Sequence, residues 1–453
     1  MSGSGGESIS SIQSMILDLP PSCIEFCPAY PDLFVVGTYN LEKSEESQTA
    51  GNQTPEEQEE DPQASGTTKQ PQSRNGSIIL FQLREGRVYP IQTISQPSAV
   101  FDLHFQPYPG KGDVFATVSS TGTISVFKLV VPEGGITSSS SEIATRHLDI
   151  LQPISVLSLP DLDDDVLFTY FAWHPSTAGH MAITTASGQV ILAQLHDDYQ
   201  GLDVLANPLL EHSLEAWVVA FSPPAPPAPT APPQPSSSSL EPIRAPPITI
   251  FSGGDDSALK YTTYDPSSPS SSENPHAPYP PMTLGGSHTA GVTAILPLPL
   301  PSSSSHIVLT GSYDDTLRVF AIAPLHTTFG AKQARLLAEC NLGGGVWRLG
   351  VLGEPSSPII GGDGKKKWTV TVLASCMHAG ARVLRIAGGG DDGNDDVEIE
   401  VLGSFEEHQS MNYGSDWSRL GEPLDSDGRP RGFIVSTSFY DRLLCVWSMS
   451  KES

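Results

Sequence analysis

The sequence is short of several things, and each shortage excludes something. Only five cysteines occur in 453 residues (Cys23, Cys27, Cys340, Cys376 and Cys445), and they form no paired pattern. A lone C-x3-C at Cys23 and Cys27 is a poor metal site, so the thiols read as reduced and no disulfide framework is expected. Basic residues are also scarce: 24 Lys and Arg stand against 51 Asp and Glu, a formal charge of -27. Such a surface repels phosphate backbones, which argues against direct nucleic-acid binding, and it suits a basic protein partner. No apolar run reaches the roughly 18 residues of a membrane-spanning helix, so no membrane span is expected. The opening MSGSGGESISS has neither a basic n-region nor an apolar core, so a secretory signal is not expected and the chain reads as cytoplasmic. G-x-S-x-G, H-E-x-x-H and C-x-x-C are all missing. The glycine clusters at 361–364 and 388–390 lack the Lys-Ser/Thr and strand-helix context of a phosphate loop.

Glycine and proline, by contrast, number 41 each, and hydrophobic residues reach only 38%. Much of this composition is concentrated in low-complexity segments. Residues 43–75 are acidic and include EEQEED, 223–247 are proline-rich, and 266–281 are Ser/Pro-rich. Shorter stretches are SSSSE at 138–142, SSSSH at 302–306, GGDGKKK ending at 367 and GGGDDGNDD at 388–396. None offers enough apolar surface to offset the entropy of ordering, so all read as mobile surface loops inserted into one domain spanning 11–450.

What remains is a series of short alternating apolar runs between turn signals, with almost no helical periodicity. The runs repeat. In GSHTAGVTAILPLP…HIVLTGSYDDTLRVFAIA (286–323) a Gly-His pair precedes a strand, and a second strand ends in Ser-x-Asp before a tight turn and a third strand. That is the pattern of a WD40 blade, with Phe320 in the usual Trp position. Trp447 follows Asp441 at the same spacing as Phe320 follows Asp314 and Tyr261 follows Asp255. Seven units begin near 23, 100, 170, 216, 291, 345 and 412. The fold expected is all-β, a seven-bladed WD40 propeller, with SIQSMILDL at 11–19 supplying the strand missing from the last blade. A closed ring of this kind has no need to assemble, so a monomer is expected.

The repeat accounts for much that looks catalytic. His288 with Asp314, and His408 with Asp441 and Trp447, fit the hydrogen-bonded scaffold positions of a blade, so a Ser-His-Asp triad drawn from them would be spurious. His104 and His174 end first strands and read as structural, and Asp255 and Asp256 as turn residues. The last blades depart from the pattern. CNLGGGVWRLG (340–350) replaces Gly-His with three glycines followed by Trp347, and ASCMHAGARVLRI (374–386) puts His378 in the turn-Asp position. EEHQSMNYGSDWSRL (406–420) places Tyr413, Asp416 and Trp417 on an innermost strand. These are either packing variants or a site at the channel mouth, where flexible glycines would let backbone amides approach a ligand.

GGGVWRL, ASCMHAG, YGSDWS and STSFYDRLLCVWS, in that order, resemble the WD40 protein of diphthamide biosynthesis. That family is named diphthine methyltransferase and understood as the methylesterase of methylated diphthine on elongation factor 2. CIEFCP…LFVVGTYNLE, FSGGDDSALKYT and GSYDDTLRVF are also similar to it, and the likeness covers every blade but not the long inserts. The resemblance implies an ester hydrolase with elongation factor 2 as protein substrate and no metal or organic cofactor; it assigns no catalytic residues. Its substrate side chain carries a methyl ester, a trimethylammonium group and an imidazole. The quaternary cation calls for aromatic faces and a carboxylate, which Trp347, Tyr413, Trp417, Tyr313 and Tyr440 with Asp416 could supply. Ester hydrolysis calls for a base, a nucleophile and oxyanion donors. His378 is the candidate base. Cys376 is either a nucleophile beside it or an inert buried thiol, and Gly343, Gly344 and Gly345 are candidate oxyanion donors. Asp416 could orient the histidine or face the cation. The alternative to catalysis is a WD40 adaptor or scaffold for protein complexes.

Overall fold

The computed structural model describes residues 6–41, 74–133, 136, 149–159, 162, 166–224, 247–265, 277–300, 305–353, 359–360, 366–390, 395–420, 424–425 and 429–449. Its strands form seven antiparallel sheets, the blades of a propeller. The first strands of blades 1 to 7 are Pro21–Phe26, Val100–Phe105, Phe168–Trp173, Ala216–Phe221, Val292–Pro297, Arg348–Leu352 and Asn412–Trp417. They stand side by side around a central channel and close the ring from blade 7 to blade 1. Each starts at the same face, here called the upper face, which also carries the turns between second and third strands.

The packing follows from the pleat. Strand side chains alternate between the two faces of a sheet, and a blade has a neighbour against both. In the second strand of blade 1, Leu33 and Val35 enter the apolar layer shared with blade 2, while Phe34 and Val36 enter the layer shared with blade 7. Hence Leu33–Thr38 is buried along its whole length, whereas the outer strand Ser11–Ile16 alternates between half-buried and exposed. Seven such layers, one between each pair of blades, make up the core.

Ser11–Ile16 pairs with Leu443–Trp447 and completes blade 7, as the sequence leads one to expect. One strand lies ahead of it. Glu7–Ile9 adds a parallel fifth strand to blade 6, opposite Gly403–Phe405. Gly403 makes that approach possible, because a Cβ there would stand 2.7 Å from Ile9 Cδ1. The chain start therefore clasps two blades, and Ile9 is buried in the layer between them.

Some loop expectations need correction. Gly388–Gly390 is not loop; it pairs with Lys366–Trp368 inside blade 6. Gly388 is required there because its Cβ would lie 2.4 Å from the Trp368 indole, which fills the place of a side chain. Likewise Arg74 and Asn75 belong to a strand, His306 opens one, and Asp395 and Asp396 begin another. Most of the remaining low-complexity positions (43–73, 138–142, 225–246, 266–276, 302–304, 361–365 and 391–394) lie outside the described residues.

One backbone feature recurs at the upper end of the channel. In six blades the first strand slips by one residue against the second, leaving a single residue unpaired. The slipped residues are Ser22, Phe101, Thr169, Trp217, Thr293 and Tyr413. Blade 6 pairs without a slip, Arg348 opposite Ser375, and Trp347 lies just above. Such bulges re-aim a side chain away from the regular pleat.

Candidate functional site at the channel mouth

The slipped residues divide into two kinds. In blades 1, 3 and 5 they are hydroxyls that stitch one blade to the next. Ser22 Oγ donates to Val100 O at 2.6 Å, Thr169 Oγ1 to Ala216 O, and Thr293 Oγ1 to Val346 O at 2.7 Å. In blades 2, 4 and 7 they are aromatic, and their rings line the mouth. Trp347 stands among them, with ring centroids 5.7 Å from Trp217, 5.8 Å from Tyr313 and 4.9 Å from Tyr413. From Tyr413 the wall continues to Phe439 at 5.5 Å, Tyr39 at 5.8 Å and Phe101 at 5.4 Å.

The carboxylate of this mouth is Asp255, not Asp416. Trp217 Nε1 donates to Asp255 Oδ1 at 2.7 Å. The scaffold position of blade 4 is filled instead by Asp256, which bonds His212 at 2.8 Å while His212 reaches Ser252. Repeat spacing alone assigns that position to Asp255, so the free carboxylate was missed. Burial pushes the Asp255 carboxyl up, the Trp217 bond opposes this, and Glu215 and Asp256 add to it. Burial, with Asp255, Tyr413 and Glu215 behind it, also pushes the Tyr313 phenol up. A carboxylate so placed, beside Trp217 and Tyr313 and with no cation paired to it among the described residues, suits a large, weakly hydrated cation.

Among the residues singled out by sequence, the mouth therefore collects Trp347, Tyr413 and Tyr313. Tyr440 lies beside it, packed edge-on against Phe439 at 5.1 Å and largely exposed. Trp417 and Asp416 are elsewhere. They end a strand that starts at the mouth, and the five steps from Asn412 to Trp417 at about 3.3 Å each carry them to the far end of the channel. Trp417 is buried between blades 6 and 7, with Arg419 over its ring at 5.4 Å. Asp416 Oδ2 accepts the Phe26 amide hydrogen at 2.7 Å and lies 3.6 Å from Arg419, so it can neither orient His378 nor face a cation at the mouth.

His378 is exposed on the turn between Ser375 and Ala381, and among the described residues nothing hydrogen-bonds to its ring. The turn touches the mouth: Met377 forms a bridge with Asn412, next to Tyr413. Cys376 is fully buried in the layer between blades 5 and 6, its Sγ 3.8 Å from Ala374 O, and burial raises the thiol to about 12. That is an inert core thiol, not a nucleophile. Two of the three glycines serve close packing, and Gly343 takes a left-handed turn with φ of 86°. A Cβ at Gly344 would lie 2.3 Å from Cys376 O, and one at Gly345 would lie 2.6 Å from Met377 Sδ. The Gly343 amide already donates to Asn341 Oδ1.

The other scaffold histidines reach their second-strand hydroxyls but not their turn aspartates. His288 Nδ1 lies 3.6 Å from Asp314 and 2.7 Å from Arg318, and His408 Nδ1 is buried without a partner among the described residues. His408 Nε2 and Trp447 Nε1 both bond Ser436 Oγ, at 2.8 and 2.9 Å, and His288 bonds Thr310 at 2.8 Å. His104 is different. It stands in the channel between Glu25 Oε2 at 2.7 Å and Asp102 Oδ2 at 3.1 Å. Burial works against a charge on this ring, but Asp102, Tyr170 and Glu25 outweigh it and hold the histidine protonated well above the usual range.

No protein-family model matches the chain. Three curated proteins do, over nearly its whole length. A Schizosaccharomyces pombe protein named diphthine methyltransferase is 24% identical over 437 residues, covering 95% of both chains. The Mus musculus protein of that name is 25% identical over 93% of this chain and 72% of its own. A Dictyostelium discoideum homolog is 23% identical over 95% of this chain and 97% of its own. Among solved structures, Sqt1 from Chaetomium thermophilum superposes with a TM-score of 0.53 at 12% identity, covering 98% of this chain and all (100%) of that one. Saccharomyces cerevisiae Sqt1 gives 0.51 at 10% identity, with the same coverage. These last two speak for the propeller fold alone.

Proposed function

We propose that this chain, which belongs to the family of proteins named diphthine methyltransferase, hydrolyses the methyl ester of methylated diphthine on elongation factor 2. The observation that carries this reading is the mouth itself: Trp217, Tyr313 and Tyr413 clustered about Trp347, with the Asp255 carboxylate bonded to Trp217. The substrate's trimethylammonium group cannot donate a hydrogen bond, so it is recognised by ring faces and a carboxylate, worth roughly 0.5–2 kcal/mol per ring contact. His378, on the turn flanking the cage, is the base. It takes a proton from water, the water oxygen adds to the ester carbonyl, and the tetrahedral adduct expels methoxide, which leaves as methanol with that proton. The product is a free carboxylate, ready for amidation.

The test is intact-peptide mass spectrometry of elongation factor 2 bearing methylated diphthine, incubated with the purified chain and no methyl donor. Hydrolysis removes the mass of one methylene and releases methanol. His378→Ala is expected to lose turnover and keep binding; normal turnover in that variant removes His378 from the site. A second reading, a non-catalytic adaptor, is favoured by one observation: among the described residues nothing orients the His378 ring. An unchanged mass from a chain that binds the factor selects the adaptor.

A further inference from the structure

The channel just below the aromatic tier holds a second set of groups. Arg348, the residue after Trp347, reaches across from blade 6. Its Nη2 lies 2.8 Å from Asp102 Oδ1 of blade 2, and its guanidinium carbon is 4.6 Å from the centre of the Tyr170 ring of blade 3. Asp102 is in turn held by His104, and His104 by Glu25. Among the described residues, Arg348 hydrogen-bonds through that one nitrogen alone, and its side chain keeps 20% of its surface open. A guanidinium has five N–H donors in a planar fork, so most of them are left to meet a ligand.

We propose that Arg348 receives the negative charge of the reaction: first the carbonyl oxygen as water adds to the ester, then the carboxylate that remains. The proposal rests on the ester-hydrolysis reading. The substrate side chain is tethered to its protein through the imidazole, so its far carbon enters the mouth first. That carbon bears both the trimethylammonium group and the ester. With the cation held against Trp347 and its neighbours, the ester carbon attached beside it stays level with the His378 turn while its carbonyl oxygen turns down the channel, where Arg348 is the next residue. As the water O–C bond forms, the carbonyl electron pair moves to oxygen and is met by the guanidinium. When methoxide leaves and becomes methanol, the pair returns and the product carboxylate stays opposite the same fork. Asp102 and Tyr170 fix the guanidinium beforehand, so little reorganisation accompanies the reaction.

The experiment uses two elongation-factor-2 peptides, one with methylated diphthine and one with its free acid, and the full-length chain as wild type, Arg348→Lys and Arg348→Met. Calorimetry gives both affinities and stopped-time mass spectrometry gives kcat. For Arg348→Met, acid affinity is expected to fall about tenfold or more and kcat about 100-fold, while ester affinity stays within about threefold. Arg348→Lys, which keeps the charge without the fork, is expected to recover part of the acid affinity but little of kcat. Wild-type acid affinity and kcat in Arg348→Met overturn the proposal. If that variant does not fold, Arg348→Lys decides, and wild-type values there overturn it. The two readings fail separately. Arg348-dependent acid binding without ester turnover sinks the hydrolase and keeps the anion site; turnover indifferent to Arg348 sinks only the anion site.

Discussion

Two halves of the same ring use one backbone device for different ends. In blades 1, 3 and 5 the slipped residue at the top of the inner strand is a serine or threonine that ties its blade to the next. In blades 2, 4 and 7 it is Phe101, Trp217 or Tyr413, whose rings join the aromatic wall of the mouth, Phe101 while still packing against the layer between blades 2 and 3. The slip is scaffold and the side chain decides what it does. Alternating the two kinds gives a rim whose ties hold the aromatic residues between them in place. Blade 6, which has no slip, puts Trp347 at the junction, with Thr293 of blade 5 bonded to the carbonyl of the residue before it.

The comparison breaks most sharply at Trp347. Trp347→Ala removes the ring that touches Trp217, Tyr313 and Tyr413. At roughly 0.5–2 kcal/mol per cation–ring contact, the affinity for the trimethylammonium peptide is expected to fall about tenfold or more. The ring is only half-buried, so the melting temperature should hardly move. A fluorescence titration against the methylated-diphthine peptide checks this; wild-type affinity would remove the cage. Thr293→Val tests the other half. It strips the partner from the Val346 carbonyl in a buried position, which should cost about 1 kcal/mol of stability by chemical denaturation. Peptide affinity should fall less than in Trp347→Ala. A variant with unchanged stability would show the tie to be incidental.

The propeller was legible because its signals are local and repeated: alternation of period two, Gly-His before a strand, Ser-x-Asp before a turn. All seven inner strands begin within three residues of where those signals place them. The mouth was legible only in part. Trp347 and Tyr413 stood out because their motifs interrupt the repeat, whereas Tyr313, inside a regular Ser-x-Asp, was named only as a ring the cation could use. Asp416 and Trp417 shared a motif with Tyr413, but a strand separates its ends by its length, so neighbours in sequence part between mouth and far end. Trp217 and Asp255 were absorbed into the repeat, because the one-residue choice between Asp255 and Asp256 depends on which carboxylate His212 reaches. An aromatic residue second in a first strand, as in VFD, AWV and NYG, is the signal that would have found the rim. Glu7–Ile9 left no such trace, since three residues are too few to show a period.

The smallest expected effect comes from setting the histidines of scaffold and channel against each other. Burial lowers His288 and His408 to about 4. The fold holds them neutral while the unfolded chain takes up protons near the usual value of about 6.5. The stability they confer is thus full above that value and is lost as pH falls toward 4. His104 runs the other way. Its folded value lies well above the ordinary one, because Asp102, Tyr170 and Glu25 outweigh burial. Its contribution is full below about 6.5 and is lost as pH rises through the raised value. Melting temperature should therefore pass through a maximum between an acid limb set by the scaffold and an alkaline limb set by the channel. His104→Gln keeps a polar side chain of similar reach and removes the titration, so it should flatten the alkaline limb and leave the acid one. If both limbs persist unchanged, His104 is not the charged group that the channel carboxylates were built around, and the anchor of Arg348 rests on Asp102 and Tyr170 alone.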